Sequence, residues 1–292
     1  MSIKEFILNN NFWGLLIHKT VYPRDNKLIK DNLKYKNIHI GKRCFILGNG
    51  PSLKTENLSL LRNEYVFTVN QFTRNSQAIN IKPNFHVWAD ANFFAKGYDT
   101  SAMEELNDVM KTIINCNPNV EVFYPLNQQE FVEYHHFNEI MSVNYFCSRL
   151  DFKKTLHQDI DLTHFIPGFG TVVQYAMAIA VYMGFKEIYL LGCDNTGLLV
   201  TIKSALKQND DSDYAYHMTI NEKKRMEQLI EKNSLEAYVK AFLETIECYR
   251  LWSRYCSDRD IKLVNCSSTT VIDSIERMSL CEVLKQQPII VS

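Results

Sequence analysis

Short polar segments that directly follow apolar runs are where this chain can do chemistry. The sharpest is Gly48-Asn49-Gly50-Pro51-Ser52-Leu53, which follows Cys44-Phe45-Ile46-Leu47. Two glycines let backbone N–H groups come close to a ligand, and Pro51 and Ser52 suit the entry to a helix. A helix N-terminus offers N–H donors and the positive end of a dipole, the chemistry of phosphate binding. The segment lacks the Gly-Lys-Ser/Thr of a Walker loop and the spacing of a dinucleotide fingerprint. A tight structural turn is the competing reading of the same residues. Comparable endings recur at Asn70-Gln71, Asp90, Gly192-Cys193-Asp194 and Asn265-Cys266-Ser267. In an open parallel sheet the carboxyl ends of the strands face one crevice, where ligands bind. Polar residues also end ordinary strands, so these endings mark a site only if the fold gathers them.

The elements that must position them follow from hydrophobic spacing. Strands are expected at Cys44 to Leu47, Tyr65 to Val69, Phe85 to Ala89, Val120 to Tyr124, Glu187 to Leu191 and Lys262 to Asn265. Helical spacing runs over Leu53 to Arg62, Met103 to Ile114, Val172 to Met183 and about Ile220 to Tyr255. Gly184 is a natural stop for the alanine-rich third helix. Alternating strands and helices predict an α/β fold with a largely parallel sheet. From Asn195 to Asp213 the pattern fades into polar residues, the profile of a lid.

Composition narrows the function. With 292 residues, 46% hydrophobic, the chain can bury a substantial core in one large domain, or a domain plus lid. A net charge of −1 offers no footprint for general nucleic-acid binding. The eight cysteines form no Cys-x-x-Cys pair and sit mostly in apolar runs, the pattern of reduced, buried thiols in a cytoplasmic protein. No cleavable signal pattern and no membrane-spanning run is seen. Residues 1–35 mix apolar and basic side chains. They either lie on a membrane surface or pack on the domain or a sister subunit, and packing is the favoured reading.

Gly-Asn-Gly-Pro-Ser-Leu after one strand and Asn70-Gln71-Phe72 after the next resemble the sialyltransferases of glycosyltransferase family 42. Ala178 to Asp194 is similar to that family's alanine-rich helix and following strand, and Ile261 to Ser268 to its last strand and serine loop. The glycine-rich motif is shared with motility-associated glycosylation proteins and with MptE-like pterin pyrophosphokinases. The resemblance implies a Rossmann-like, GT-A-like domain over residues 36–292, with a lid at about 195–217. It implies that Gly48, Asn49, Gly50, Pro51, Ser52, Asn70, Gln71, Thr171, Asp194, Ser267 and Ser268 surround the nucleotide of a CMP-sugar donor. Tyr214 and Tyr216 would hold the leaving phosphate, and His217 would be the general base or else an ordinary helix-entry histidine.

The resemblance also implies that no metal is used, which is chemically coherent because tyrosine hydroxyls can stabilise charge growing on a departing phosphate without a cation. The Asp-x-Asp triplets at Asp159, Asp211 and Asp258 lie in polar connections and read as solvated charges. His135-His136 reads as a surface or acceptor-side pair. The expected function is inverting, metal-independent transfer of sialic acid or a related nonulosonic acid from its CMP donor to a surface glycan or lipooligosaccharide hydroxyl. Transfer of another nucleotide-activated group, pyrophosphoryl transfer to a pterin, and nucleotide binding without catalysis are the alternatives. No cofactor and no nucleic acid are expected. Cytoplasmic location completes the expectations, with peripheral contact with the inner membrane face and a homo-oligomer left open.

Overall fold

A computed structural model describes residues 23–94, 100–206, 208 and 214–286. Its strands are β1 (Arg43–Leu47), β2 (Tyr65–Val69), β3 (Phe85–Val87), β4 (Glu121–Pro125), β5 (Ser142–Asp151), β6 (Phe165–Gly168), β7 (Glu187–Leu191), β8 (Lys262–Asn265) and β9 (Glu276–Arg277). They form one nine-stranded sheet in the order β6-β5-β4-β3-β2-β1-β7-β8-β9. Every pairing is parallel. The longer helices are α1 (Pro23–Lys30), α2 (Thr100–Cys116), α3 (Val172–Tyr182), α4 (Gly197–Ala205), α5 (Ile220–Lys232), α6 (Leu235–Ser257) and α7 (Leu280–Lys285).

The sheet is covered on both faces, which is why its central strands are apolar throughout rather than alternating. Successive side chains still point opposite ways. Cys44 and Ile46 of β1 join Ile188 and Leu190 of β7 in a core with α3 and α6. Phe45 and Leu47 join Tyr189 and Leu191 in a second core beneath Leu53, Leu58, Leu61 and Val283. The architecture is thus Rossmann-like α/β. From β1 the chain runs outward through β2 to β6, then returns to lay β7 on the other flank of β1. The topological switch therefore falls between β1 and β7.

Several elements differ from the sequence reading. Leu53 to Arg62 is not an α-helix but two 3-10 turns, Pro51–Thr55 and Leu58–Leu61. The Asn57 side chain accepts from the Ser59 N–H, a local bond that competes with helix continuation. The stretch from Ile220 to Tyr255 is two helices, because Ser234 caps the start of α6 by accepting from the Ala237 N–H. Strands β5 and β6 carry polar residues, a bulge between Ser148 and Leu150, and Pro167, so their periodicity is weak.

Before β1, α1 and the turn after it pack on the domain. The buried Asn32 amide donates to the carbonyls of Tyr145 and Leu162 at 2.7 and 3.0 Å, and Tyr35 donates to Glu121 at 2.5 Å. Residues 1–22, for which a membrane or packing role was weighed, lie outside the described residues. No disulfide links the cysteines, and Cys281 is exposed while most others are buried. Among the described residues no helix is long and apolar enough to cross a membrane.

Candidate functional site

The carboxyl ends of β1, β2, β3 and β7 open into one cavity of about 790 Å³. Its floor is Gly48 and Asn49 from β1, Asn70 and Gln71 after β2, Asp90 after β3, and Gly192, Cys193 and Asn195 after β7. The start of α3, α4, residues 214 to 218 and the first half of α6 complete the wall. The volume lies in the range of small-molecule sites.

The glycine-rich turn is shaped by close backbone contact. Gly48 N–H donates to the Leu191 carbonyl at 2.8 Å and Gly50 N–H to the Gly192 carbonyl at 2.9 Å. A Cβ on Gly48 would stand 2.4 Å from the Gly192 carbonyl oxygen, and one on Gly50 2.6 Å from the Asp194 carboxyl carbon. Only glycine lets β1 and β7 end this close together. Pro51 begins the 3-10 turn, and Ser52 is tied to Asp194 by both its backbone N–H (2.8 Å) and its hydroxyl. Asp194 is buried, and burial raises its carboxyl against the two Ser52 hydrogen bonds that lower it. Its oxygens hold the turn from behind. Ser267 does the same for the neighbouring turn, accepting from the Cys193 N–H at 2.8 Å, while exposed Ser268 gives its carbonyl to Arg277.

The floor carries polar atoms with no partner among the described residues: Asn49 Oδ1, Asn70 Oδ1, Gln71 Nε2 and Asn195 Nδ2. Buried polar groups are normally paired, so a cluster of exceptions around one cavity calls for a ligand. Asn70 and Asn195 also hold left-handed backbone, with φ of 48° and 56°, and such strained positions concentrate at functional sites. Beneath Asn70, fully buried His86 contacts the Thr68 hydroxyl at 2.7 Å. Burial lowers its imidazole to about 3, against a hydrogen bond with the Asn70 backbone, so it is neutral. His86, Asn195 and Asp90 were not picked as ligand contacts from sequence. Only the polar strand end at Asp90 carried a signal.

Thr171 caps α3 by position, yet its hydroxyl lies 3.2 Å from the Tyr249 hydroxyl and makes no cap bond. Residues 214 to 218 have no regular hydrogen bonding, and alternate side chains, Tyr214, Tyr216 and Met218, line the cavity. The Ala215 N–H between them donates to the Asn49 carbonyl at 3.0 Å. His217 is consequently exposed and is not part of the cavity wall. The Tyr214 and Tyr216 rings stack at 5.6 Å. Tyr216 is buried, donating to Gln71 Oε1 at 2.6 Å and lying 3.2 Å from Glu222, which pairs with Arg74. The structure therefore gathers Gly48, Asn49, Asn70, Gln71, Thr171, Tyr214 and Tyr216 on the wall. It places Ser52, Asp194 and Ser267 behind it, and His217 and Ser268 away from it. The expected lid contains α4, which was not foreseen; residues 207 and 209–213 lie outside the described residues.

Among the described residues no three His, Cys, Asp or Glu side chains are grouped to hold a metal ion. Asp161 and Asp159 are engaged in local pairs, with His164 and Arg259 respectively, and exposed His136 pairs with Glu139. The cavity wall carries two described carboxylates, Asp90 and Glu222, and no Lys, Arg or His among its described residues.

A doubly wound parallel sheet with its crevice at the β1/β7 switch defines a Rossmann-like α/β protein. The chain belongs to the MptE-like family, described as 6-hydroxymethylpterin diphosphokinase MptE-like, whose family model matches residues 19–196. Among solved structures it is similar to a MAf glycosyltransferase from Magnetospirillum magneticum AMB-1, at 15% identity and a TM-score of 0.48. That match covers 87% of this chain and 38% of the other, so this chain spans well under half of that protein's length. It is also similar to the sialyltransferase CstII from Campylobacter jejuni, solved with the substrate analogue cytidine-5'-monophosphate, at 17% identity and a TM-score of 0.38. That match covers 80% of this chain and 84% of the other. No curated protein matches the chain.

Proposed function

We propose that the chain is a glycosyltransferase that takes a CMP-activated nonulosonic acid, sialic acid or a relative, and transfers it with inversion to a glycan hydroxyl. The observation that carries this reading is the make-up of the cavity: amides, hydroxyls and aromatic rings at a strand-end crevice, with no described cation on its wall. The single phosphate of a CMP-sugar can be held by backbone N–H groups at the start of α3, while those of Gly48, Gly50 and Ser52 are spent on Leu191, Gly192 and Asp194. A nucleoside triphosphate is normally met by lysine, arginine and a divalent ion.

In this reading Asn49, Asn70, Gln71 and Asn195 supply the amides that meet the nucleotide. Tyr214 lies beside the departing phosphate. Tyr216, whose hydroxyl is engaged by Gln71, fixes the Gln71 amide. The base taking the acceptor's hydroxyl proton is Asp90, because Asp90 lines the cavity and exposed His217 does not. The acceptor oxygen bonds to the anomeric carbon, its proton passes to Asp90, and the bond to phosphate breaks to release CMP.

The family description favours a second reading, pyrophosphoryl transfer to a pterin, in which Asp90 and Glu222 would serve a divalent ion. Calorimetric binding of CMP, with UMP, GMP and ATP as controls, separates the two. CMP-selective binding that persists in EDTA supports the first reading. ATP-selective binding that needs magnesium overturns it in favour of the second.

A further inference from the structure

Arg74 is not on the cavity wall, yet it closes the 3-10 turn Asn70–Arg74 that presents Asn70 and Gln71 there. Its guanidinium bridges two helices. One arm pairs with Glu222 of α5, and the other with Glu105 of α2 at 2.7 Å. The Arg74 and Glu222 side chains are 12% and 5% exposed, so water and salt screen their charges little. The guanidinium also lies 5.8 Å from the centroid of the Tyr216 ring, on which Tyr214 stacks. Arg74, Glu222 and Glu105 are therefore the charges gathered behind Tyr216.

The Tyr216 hydroxyl has a single proton and two acceptors in reach, Gln71 Oε1 at 2.6 Å and Glu222 Oε1 at 3.2 Å. Burial, and next the Glu222 charge, push this phenol far above its ordinary range, so it keeps the proton. A carboxylate with no cation beside it accepts a hydrogen bond more strongly than an amide oxygen does. Glu222 has its cation, since Arg74 donates to its other oxygen, and the proton is left to Gln71. An amide held by its oxygen presents its nitrogen at the other end. Gln71 Nε2 is unpartnered among the described residues, on a buried side chain that lines the cavity. If Glu222 took the proton instead, Gln71 would turn over, donate to the Tyr216 oxygen and show the cavity an acceptor.

Building on the nucleotide-donor reading, we propose that Arg74 is a positioning residue: by balancing Glu222 it leaves the Tyr216 proton to Gln71, and so keeps the Gln71 N–H donors turned toward an oxygen of the bound nucleotide. Arg74 acts through Glu222 and Tyr216 and does not touch the ligand.

The test is calorimetric titration of the full chain with CMP, and with UMP, GMP and magnesium-ATP, in a double-mutant cycle. Arg74→Gln and Tyr216→Phe should each weaken nucleotide binding by about tenfold. The double variant should be no weaker than either alone, within about twofold, because both changes remove the same orientation of Gln71. A double variant about 100-fold weaker would overturn the proposal, since Arg74 would then act as an independent brace. Unchanged affinity in Arg74→Gln would overturn it as well. Arg74→Lys keeps the charge beside Glu222 without the two-armed bridge, and should bind within about threefold of the unmodified chain. A tenfold loss there would overturn the proposal by assigning the effect to the bridge, and this variant carries the test if Arg74→Gln fails to fold. If the unmodified chain selects magnesium-ATP over CMP, the donor reading falls, and the same cycle with ATP still decides the role of Arg74. Binding of none of the four nucleotides would overturn both.

Discussion

Two cavities of similar size lie at opposite edges of the sheet. The front one, about 790 Å³, sits at the carboxyl ends of the strands. The rear one, about 710 Å³, sits near their amino ends, between the C-terminal ends of α3 and α6. The rear cavity is lined by full charges: Lys36, Lys186 and Arg259 against Asp159, Asp161 and Asp260. Most are engaged within the protein. Arg259 pairs with Asp159 at 3.0 Å and lies over the Tyr255 ring, His164 pairs with Asp161 at 3.2 Å, and Lys186 donates to the Arg259 carbonyl at 2.7 Å. The front cavity is built mostly of neutral groups, with two acidic residues, Asp90 and Glu222, among them, and several of its amides are unpaired. Charge density alone would point to the rear. Hydrogen-bond satisfaction points to the front, where four amide atoms lack partners against the Tyr182 hydroxyl at the rear, because a site waiting for ligand shows itself by what its atoms lack.

The sharpest way to break this contrast is at the reacting end of the front cavity. Asp90→Asn should lower turnover by about 10²–10⁴-fold with CMP affinity retained, whereas His217→Ala should stay within about threefold of the unmodified chain. The reverse order in steady-state assays would return the base role to His217. Next in size is Gly50→Ala, whose new Cβ displaces the turn that β7 encloses. CMP affinity should drop about 100-fold, because a misplacement near 1 Å is enough to disable a preorganised site.

Tyr216→Phe is expected to weaken CMP binding by about tenfold, since Gln71 loses the hydroxyl that orients it. Asp161→Asn tests the rear. Burial works to raise the Asp161 carboxyl, but hydrogen bonds from His164 and Thr163 outweigh it and hold the group well below the usual carboxylate range. Losing that charge should lower the melting temperature by a few degrees and leave CMP affinity unchanged. A drop in affinity instead would mean that the two cavities are coupled.

The smallest effect is on pH dependence. The unfolded chain protonates His86 near pH 6.5, whereas the folded chain resists protonation down to about 3. The unfolded state then binds the proton more tightly, so this contribution is full above pH 6.5 and is lost as pH falls through that window. Melting temperature should decline on acidification from pH 7 toward pH 4, and less steeply in His86→Gln. An equal slope in both proteins would show that His86 titrates normally.

The strands were legible where they are buried on both faces and bounded by turn residues, as β1, β2 and β7 are. The glycine-rich turn was legible because two glycines flanking an asparagine mark a backbone contact. Strands β5 and β6 were not, since polar residues and a bulge hide their period. Asn195 and His86 were invisible as site residues, one lying in a fading pattern and the other inside a strand. The family resemblance implies that Asp194 faces the ligand, and in the fold its oxygens hold the Ser52 N–H and hydroxyl.

By itself the sequence determined the α/β class, the parallel core strands and the identity of the turn after β1, because hydrophobic spacing and glycine placement are local signals. Tertiary structure decided which strand ends meet, through the reversal of strand order between β1 and β7. It also decided which side chains face the cavity. One residue of alternation separates Tyr216 on the wall from His217 in solvent, and that phase is set by the Ala215 bond to Asn49, a contact between segments far apart in the chain.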